Sequence, residues 1–362
     1  MADITVADKN FVVQTNIDLT DFEFRSVLEP PFSIHGVYYD GDRFRRMPED
    51  VARATSQGVL QLHANTAGGR VRFATDAKFV VIKAVLDNVA RMSHFSLTGT
   101  ASLDMYVETE DPCDPSGANV HIYSGTFIPP YDVENAFISK QELSGSGMRT
   151  VTIDMPIYSD LMWLEIGLPD GARLEAAPKY KHSGPVVYYG SSITQGGCAS
   201  RPGNTYQEII SRALDLDYVN LGFSGSAKAE DAMIEYLADL EMSAFVLDYD
   251  YNAPNLTHLQ NTHEKLFMAV RKAHPDMPIL ITSRPRTRLL DWEERRKECV
   301  ETTYKNAVAR GDKNVWYIPG DSLIPLDMID MAKVDGGHPN DLGFMCMAKT
   351  MEPVIREMLQ IA

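Results

Sequence analysis

Basic charge is scarce in this chain. Among 362 residues, Lys and Arg number 34 against 50 Asp and Glu, for a formal net charge of −16. That balance argues against nucleic acid as the main partner, because phosphate binding needs a basic footprint. An anionic membrane surface is disfavoured for the same reason. Long hydrophobic runs are lacking too, and no segment approaches the roughly 20 apolar residues of a spanning helix. The start, MADITVADKN, has neither a basic stretch nor an apolar core after it, so no secretory signal and a cytoplasmic location are expected. Cysteine is sparse: Cys113, Cys198, Cys299 and Cys346 lie far apart with no CxxC or finger spacing. They read as reduced thiols, not as a disulfide framework or a zinc site. Internal repeats and low-complexity stretches are absent as well. What is there, 44% hydrophobic and 23% charged residues, is the make-up of an ordinary globular protein, and its length suggests two domains.

The two halves differ in pattern. Up to about residue 180, segments such as VRFATDAKFVVIKAVL, SLDMYVE, VHIYSGTFI, RTVTIDM and MWLEIGL alternate or run apolar, rich in Val, Ile, Tyr and Phe. Turn chemistry separates them: Gly68-Gly69, Asp111-Pro112, Pro115-Ser116-Gly117 and Pro169-Asp170-Gly171. Helical periodicity is missing there beyond a turn near Pro48 to Ala54. An antiparallel, jelly-roll-like β-sandwich over residues 1–180 is the expectation. After Pro185 the pattern changes. A short apolar strand, Val186 to Tyr189, runs into a Gly/Ser turn. Tyr206, Ile209, Ile210, Ala213 and Leu214 then form one apolar helix face, with Asn204 or Thr205 as its cap. Strands at Tyr218 to Leu221, Ala244 to Asp248, Pro278 to Thr282 and Val315 to Ile318 alternate with helices at Ala229 to Leu240, Thr257 to His274 and Trp292 to Ala309. A last helix carries Phe344, Met347, Met351, Val354, Ile355 and Met358, with Pro353 expected to kink or shorten it. Such alternation predicts a flavodoxin-like α/β/α domain on a parallel sheet over residues 185–362, with the boundary in the polar stretch Ala177 to Gly184.

Ligands of open parallel sheets collect at the carboxyl ends of the strands, so the residues following each strand are the candidates. The first strand ends in GSSITQG. Ser192 there reads either as a helix-capping serine or as an exposed nucleophile; neither a phosphate loop nor a GxSxG elbow is present. The second ends in NLGFSG, whose glycines either admit a ligand or only make the turn. The third ends in DYDYNAP, where Asn252 offers a side-chain amide or an Asx turn. Last comes DGGHP: Asp335, three residues before His338, can hold one ring nitrogen and leave the other to take a proton.

Taken together and in this order, the four pieces resemble the sequence blocks of the SGNH/GDSL hydrolase superfamily. Over residues 185–360, Ser192 stands at the nucleophile position, Gly225 at the block II glycine, Asn252 at the block III asparagine, and Asp335 and His338 at block V. GSSITQGGCASRPGNTY, NLGFSGSA, VLDYDYNAP and DGGHPNDLGFMCMA look like a bacterial GDSL-like subfamily with an N-terminal β-sandwich. LDMYV and MPIYSDLMWLEIGL are similar to that sandwich's own patterns. Block I departs from the usual Asp-Ser-Leu with Ser191 and Ile193, and block III from Gly-x-Asn-Asp with Asp250-Tyr251-Asn252-Ala253. Asp250 reads as a carboxylate satisfied by nearby backbone N–H groups.

The resemblance implies a serine esterase. Ser192 attacks an ester carbonyl, His338 takes its proton, and Asp335 orients the ring. The N–H groups of Ser192 and Gly225 and the Asn252 amide receive the oxyanion. No cofactor is implied, and no metal is expected, since His258 and His263 do not share a helix face as an i, i+4 pair would. Family members with a sandwich in front often remove acetyl groups from sugars, so an acetylated oligosaccharide is the implied substrate. Trp292, Tyr251 and Tyr249 are candidates to stack on pyranose rings, with core packing as the alternative for Tyr249. Arg201 and the series Arg284, Arg286 and Arg288 are candidates for polar substrate contacts, or else a solvated charged face. An acyltransferase using the same serine and a non-catalytic carbohydrate-binding protein are the other readings; a lipase is disfavoured by the lack of an apolar lid helix. The sandwich is expected to form a wall of the cleft or to mediate self-association as a homo-oligomer.

Overall fold

The computed structural model describes residues 22–110, 119–143, 145–286 and 290–361. Cys113 and Arg288 lie outside the described residues.

The first half is two antiparallel sheets. One runs in the order Phe22–Ser26, Asp160–Pro169, Phe79–Asp87, Ala136–Glu142. The other runs Leu174–Glu175, Arg70–Thr75, Arg149–Asp154, Leu103–Glu110, Asn119–Phe127, with Ser33–His35 also paired to Arg70–Thr75. Alternate residues point to opposite faces of a strand, so Val80, Ile82, Leu164 and Ile166 of the first sheet meet Val71, Phe73, Leu103, Met105, Val151 and Ile153 of the second in one apolar core.

Helices interrupt this half where only a turn is legible from sequence. Glu49–Thr55 starts after Pro48, and Gln57–Leu62 follows directly, its N-cap Ser56 accepting the Val59 N–H. Both are too short for a periodic face to show. Met47, Ala52 and Val59 belong to the core under the parallel sheet, not to that of the sandwich.

That sheet has five parallel strands in the order Leu216–Gly222, His182–Gly190, Ala244–Asp248, Ile279–Thr282, Val315–Ile318. Numbered along the chain, this is 2-1-3-4-5, the flavodoxin order, with its switch point between the first and third strands. Val186 and Tyr188 face one side, in a core shared with the helices Tyr206–Leu214 and Asp341–Met358. Val187 and Tyr189 face the other, in a core shared with Asp231–Asp239, Leu256–Ala273 and Asp291–Ala309.

One cap candidate holds its expected position, and the expected shortening of the last helix does not occur. Thr205 occupies the N-cap of Tyr206–Leu214 but makes no side-chain cap bond, and Asn204 instead donates its amide to Ser200 Oγ. Pro353 does not shorten the last helix, which runs to Met358. Its buried side, with Phe344, Met347, Met351, Ile355 and Met358, holds the turns on both flanks of the proline. Among the described residues, no helix is long and apolar enough to cross a membrane.

Candidate active site

Register brings the ends of three strands level. Gly190 lies opposite Gly222 on one side and opposite Asp248 on the other. Ser192, Gly225 and Asn252 therefore leave the sheet at one edge, two to four residues beyond it.

Ser191, not Ser192, is the capping serine: its Oγ accepts the Ile193 N–H at 3.2 Å at the head of the one-turn helix Ser192–Gln195. The Ser192 hydroxyl is thereby left to make another bond, and it lies 2.8 Å from His338 Nε2. The other ring nitrogen, Nδ1, is 2.7 Å from Asp335 Oδ2. Asp335 Oδ1 accepts the backbone N–H groups of Gly337 and His338 at 3.0 and 2.8 Å. Partial burial raises this carboxyl, but those bonds and the neighbouring ring outweigh it and hold it down to about 2. It is therefore an anion, and an anion on Nδ1 favours the tautomer whose Nε2 accepts the serine proton.

Two glycines after the second strand have different jobs. A Cβ on Gly222 would sit 2.1 Å from the backbone nitrogen of Gln195, so only glycine lets this strand end press against the serine turn. Gly225 has φ +67°, the left-handed region, with open space where a Cβ would be. The turn that carries it is pinned to the serine helix: Gln195 Oε1 accepts the Ser224 N–H at 3.0 Å, and Gln195 Nε2 donates to Asn65 Oδ1 at 3.1 Å. Asn220 adds a second tie, its amide donating to Thr194 O at 2.8 Å while its Oδ1 accepts the Gly222 N–H at 2.9 Å. Sequence reading passed over Gln195 and Asn220, whose buried amides carry no spacing signal. Asn252 follows the third strand, half-buried, and its Oδ1 has no hydrogen-bond partner.

Two carboxylates stand behind this edge. Asp248 is buried and accepts the Thr194 hydroxyl at 2.9 Å; burial pushes it up to about 7 against that bond. Asp250 is buried too. One oxygen accepts the Arg284 backbone N–H at 3.3 Å, as expected of it, while the other is unpartnered, and burial raises its pKa against the pull of Arg284.

The proposed sugar contacts separate in the structure. Tyr249 is core: it is buried, with its hydroxyl on Lys228 O at 2.9 Å. Tyr251 stands beside the histidine loop, its hydroxyl 2.7 Å from where a Cβ on Gly337 would lie. The Arg284 guanidinium stacks on the Tyr251 ring at 4.0 Å and lies 5.1 Å from that of Trp292, which is half exposed. The expectation of a solvated face fails for Arg284, which is buried and bound to Glu293 at 2.6 Å; Arg286 shares the same carboxylate oxygen at 2.5 Å. Arg201 is committed elsewhere. Its Nη1 donates to Asp104 at 2.8 Å and to Tyr106 Oη at 2.6 Å, and its guanidinium covers the Tyr123 ring at 4.0 Å, all on the sandwich.

The first half reaches the site with residues that no motif announced. The His94 and Phe95 rings lie 5.8 and 6.4 Å from that of His338, and Phe95 packs edge-on against Tyr158 at 4.8 Å. Cys198 is buried nearby, and burial, with Asp335 adding, pushes its thiol up to about 12. It is no rival nucleophile at neutral pH. His258 bonds Lys228 O and His274 bonds Ala238 O, while the buried His263 has Nδ1 on Thr303 Oγ1 and Nε2 without a partner.

A hydroxyl, an imidazole and a carboxylate in relay at the switch point of a flavodoxin-order sheet form the constellation that serine hydrolases use. The comparisons with known proteins narrow this class. Residues 183–356 match the GDSL-like lipase/acylhydrolase family, and residues 22–174 match the N-terminal domain of SGNH-hydrolase-type esterases. The chain belongs to this GDSL/SGNH family. Among solved structures it is similar to a Bacteroides ovatus protein described as a GDSL-like lipase, with 26% identity and a TM-score of 0.81 over 94% of this chain and 99% of that one. It shares its fold with the salicylyl-acyltransferase SsfX3 of a tetracycline biosynthetic pathway, at 20% identity and TM-score 0.72 over 95% and 100%. The acetyl xylan esterase Est2A of the rumen bacterium Butyrivibrio proteoclasticus also shares it, at 12% identity and TM-score 0.58 over 93% and 99%. No curated protein matches the sequence significantly.

Proposed function

We propose that the protein hydrolyses small acyl esters, acetyl esters of oligosaccharides in particular, through an acyl-serine. The relay from Ser192 Oγ through His338 to Asp335, with bonds of 2.8 and 2.7 Å, is the observation that carries this reading. Ser192 attacks the ester carbonyl as Nε2 takes its proton, and Asp335 stabilises the imidazolium. The N–H groups of Ser192 and Gly225 and the Asn252 amide receive the oxyanion; the Gln195 and Asn220 bonds support this by fixing the turns in advance, so that little reorganisation accompanies charge development. His338 then returns the proton to the departing sugar oxygen, and water releases the acyl group by the reverse path. Trp292 and Tyr251, joined by Arg284, offer flat faces on one side of the histidine loop for a pyranose. The fold shared with an acetyl xylan esterase supports the substrate class. Acetate release from a panel of acetylated oligosaccharides, with Ser192→Ala as control, tests it; release that survives in the control would refute the mechanism.

A second reading rests on the fold shared with an acyltransferase over nearly the whole chain. The same acyl-serine could hand its acyl group to an alcohol. Added acceptors that divert acyl groups from acetate into new esters would favour it.

A further inference from the structure

Three side chains from distant parts of the sequence converge beside the reactive serine. One ligand atom each of His94, Cys198 and His338 lies within 4.8 Å of the other two. A tetrahedral site with metal–nitrogen bonds of about 2.0 Å and a metal–sulfur bond of about 2.3 Å needs its donors roughly 3.3–3.8 Å apart. The three donors lie no farther than 4.8 Å apart, and His94, which is exposed, can adjust toward the buried Cys198 to reach that spacing.

We propose that these residues form an inhibitory site for a divalent cation of borderline softness, Zn²⁺ being the type, which shuts the hydrolase by occupying its own histidine. Three observations support it. Two imidazoles and a thiol are the donor set such an ion prefers over Mg²⁺ or Ca²⁺. His338 is already braced as a metal-bound histidine is, with its Nδ1 on a carboxylate at 2.7 Å, while its Nε2 is held only by the Ser192 hydroxyl at 2.8 Å. Cys198 has φ +71°, a left-handed conformation that costs a non-glycine residue energy and marks positions held for a purpose.

Binding breaks the Cys198 S–H bond, releases that proton to solvent and forms a metal–thiolate bond. On Nε2 the ion displaces the hydrogen bond to Ser192, so the serine loses its base. A water or the Ser192 hydroxyl completes four-coordination. The inhibitory consequence rests on the esterase reading; the binding itself does not.

The test therefore uses two readouts on the full-length protein. Co²⁺ serves as a spectroscopic probe, since thiolate coordination gives an intense near-ultraviolet band that needs no turnover. Wild type is expected to show the band with one ion per chain, Cys198→Ala to lose it, and His94→Ala to bind more than about tenfold more weakly, as loss of even an outer partner does. His94 is exposed, so His94→Ala keeps the test sound should Cys198→Ala fail to fold. In the second readout, Zn²⁺ is titrated against hydrolysis of an activated acetate ester. Inhibition should be reversed by a chelator, and half-inhibition in His94→Ala should need more than about tenfold more Zn²⁺. Absence of the band, or Co²⁺ and Zn²⁺ affinities unchanged in both variants, overturns the proposal. A band in a protein without esterase activity would sink the catalytic reading and leave the metal site standing.

Discussion

Each residue at the serine turn has one task because its neighbour has taken the other. Ser191 caps the short helix, which leaves the Ser192 hydroxyl to His338. Ser192→Ala and His338→Ala are accordingly expected near background in acetate release. Asn252→Ala should lose about 10²–10³ in turnover, the usual effect of one missing oxyanion donor. Asp335→Asn should lose about 10⁴ by favouring the wrong tautomer, as in the serine-protease case. Because Asp335 stays ionised down to about pH 2, the acid limb of the pH–rate profile belongs to another group. An acid limb with its midpoint near pH 2, where Asp335 itself takes up a proton, would contradict this. At this scale the sequence was informative where a candidate group follows a strand end, as Ser192, Gly225 and Asn252 do, or stands just before the last helix, as Asp335 and His338 do. It was silent on Gln195 and Asn220, whose bonds depend on which turns meet, and on His94, which arrives from the other half. It misled at Arg284: a guanidinium in a polar stretch looks solvated until a buried Glu293 and two aromatic rings are found around it.

Elements carry the next set of consequences. The parallel strands were legible because their buried runs, such as Val186 to Tyr189, have no polar interruption, and the long helices because three or more turns repeat a face. Glu49–Thr55 showed only as a turn and Gln57–Leu62 not at all, both being two turns or fewer, and Pro353 lies within a helix that tertiary packing sustains. The approach of the second strand to the serine turn predicts that Gly222→Ala loses both activity and about 1–3 kcal/mol of stability, read by denaturant unfolding. Asp248 ends the third strand inside the protein. Its folded pKa, about 7, lies above the unfolded value near 3.9, so the native state binds more protons between these values. Its penalty on folding therefore accumulates as pH rises from about 4 to about 7. Asp248→Asn should raise the Tm at pH 8 by several degrees, and the gain should fade toward pH 4. A gain independent of pH would refute this account of Asp248.

At the scale of the whole molecule, buried arginines tie the sandwich to the parallel sheet. Arg70, on a sandwich strand, is fully buried, pairs with Asp217, donates to Tyr218 O at 3.1 Å and stacks on the Tyr218 ring at 4.0 Å. Arg46 donates to Asn220 O at 3.0 Å and Gly222 O at 2.6 Å, bracing from the first half the strand that leads to Gly225. Neither arginine could be assigned from sequence, since nothing in a local pattern tells an arginine which distant carbonyl it will meet. Arg70→Met takes the buried guanidinium away from Asp217 and from the buried Glu208, 3.7 Å off, and about 3–5 kcal/mol of stability should go with it, the usual cost of breaking a buried pair. Calorimetry or denaturant unfolding reads that loss; an unchanged midpoint would show the lock to be dispensable. The first half also sets the His94 and Phe95 rings within 5.8 and 6.4 Å of that of His338.

The most direct test of the account is to trap the acyl-enzyme. Wild-type protein quenched early in its reaction with an activated acetate ester should gain the mass of one acetyl group, mapped by peptide mass spectrometry to Ser192 and missing in Ser192→Ala. Acetylation at another residue, or steady turnover by the alanine variant, would contradict it.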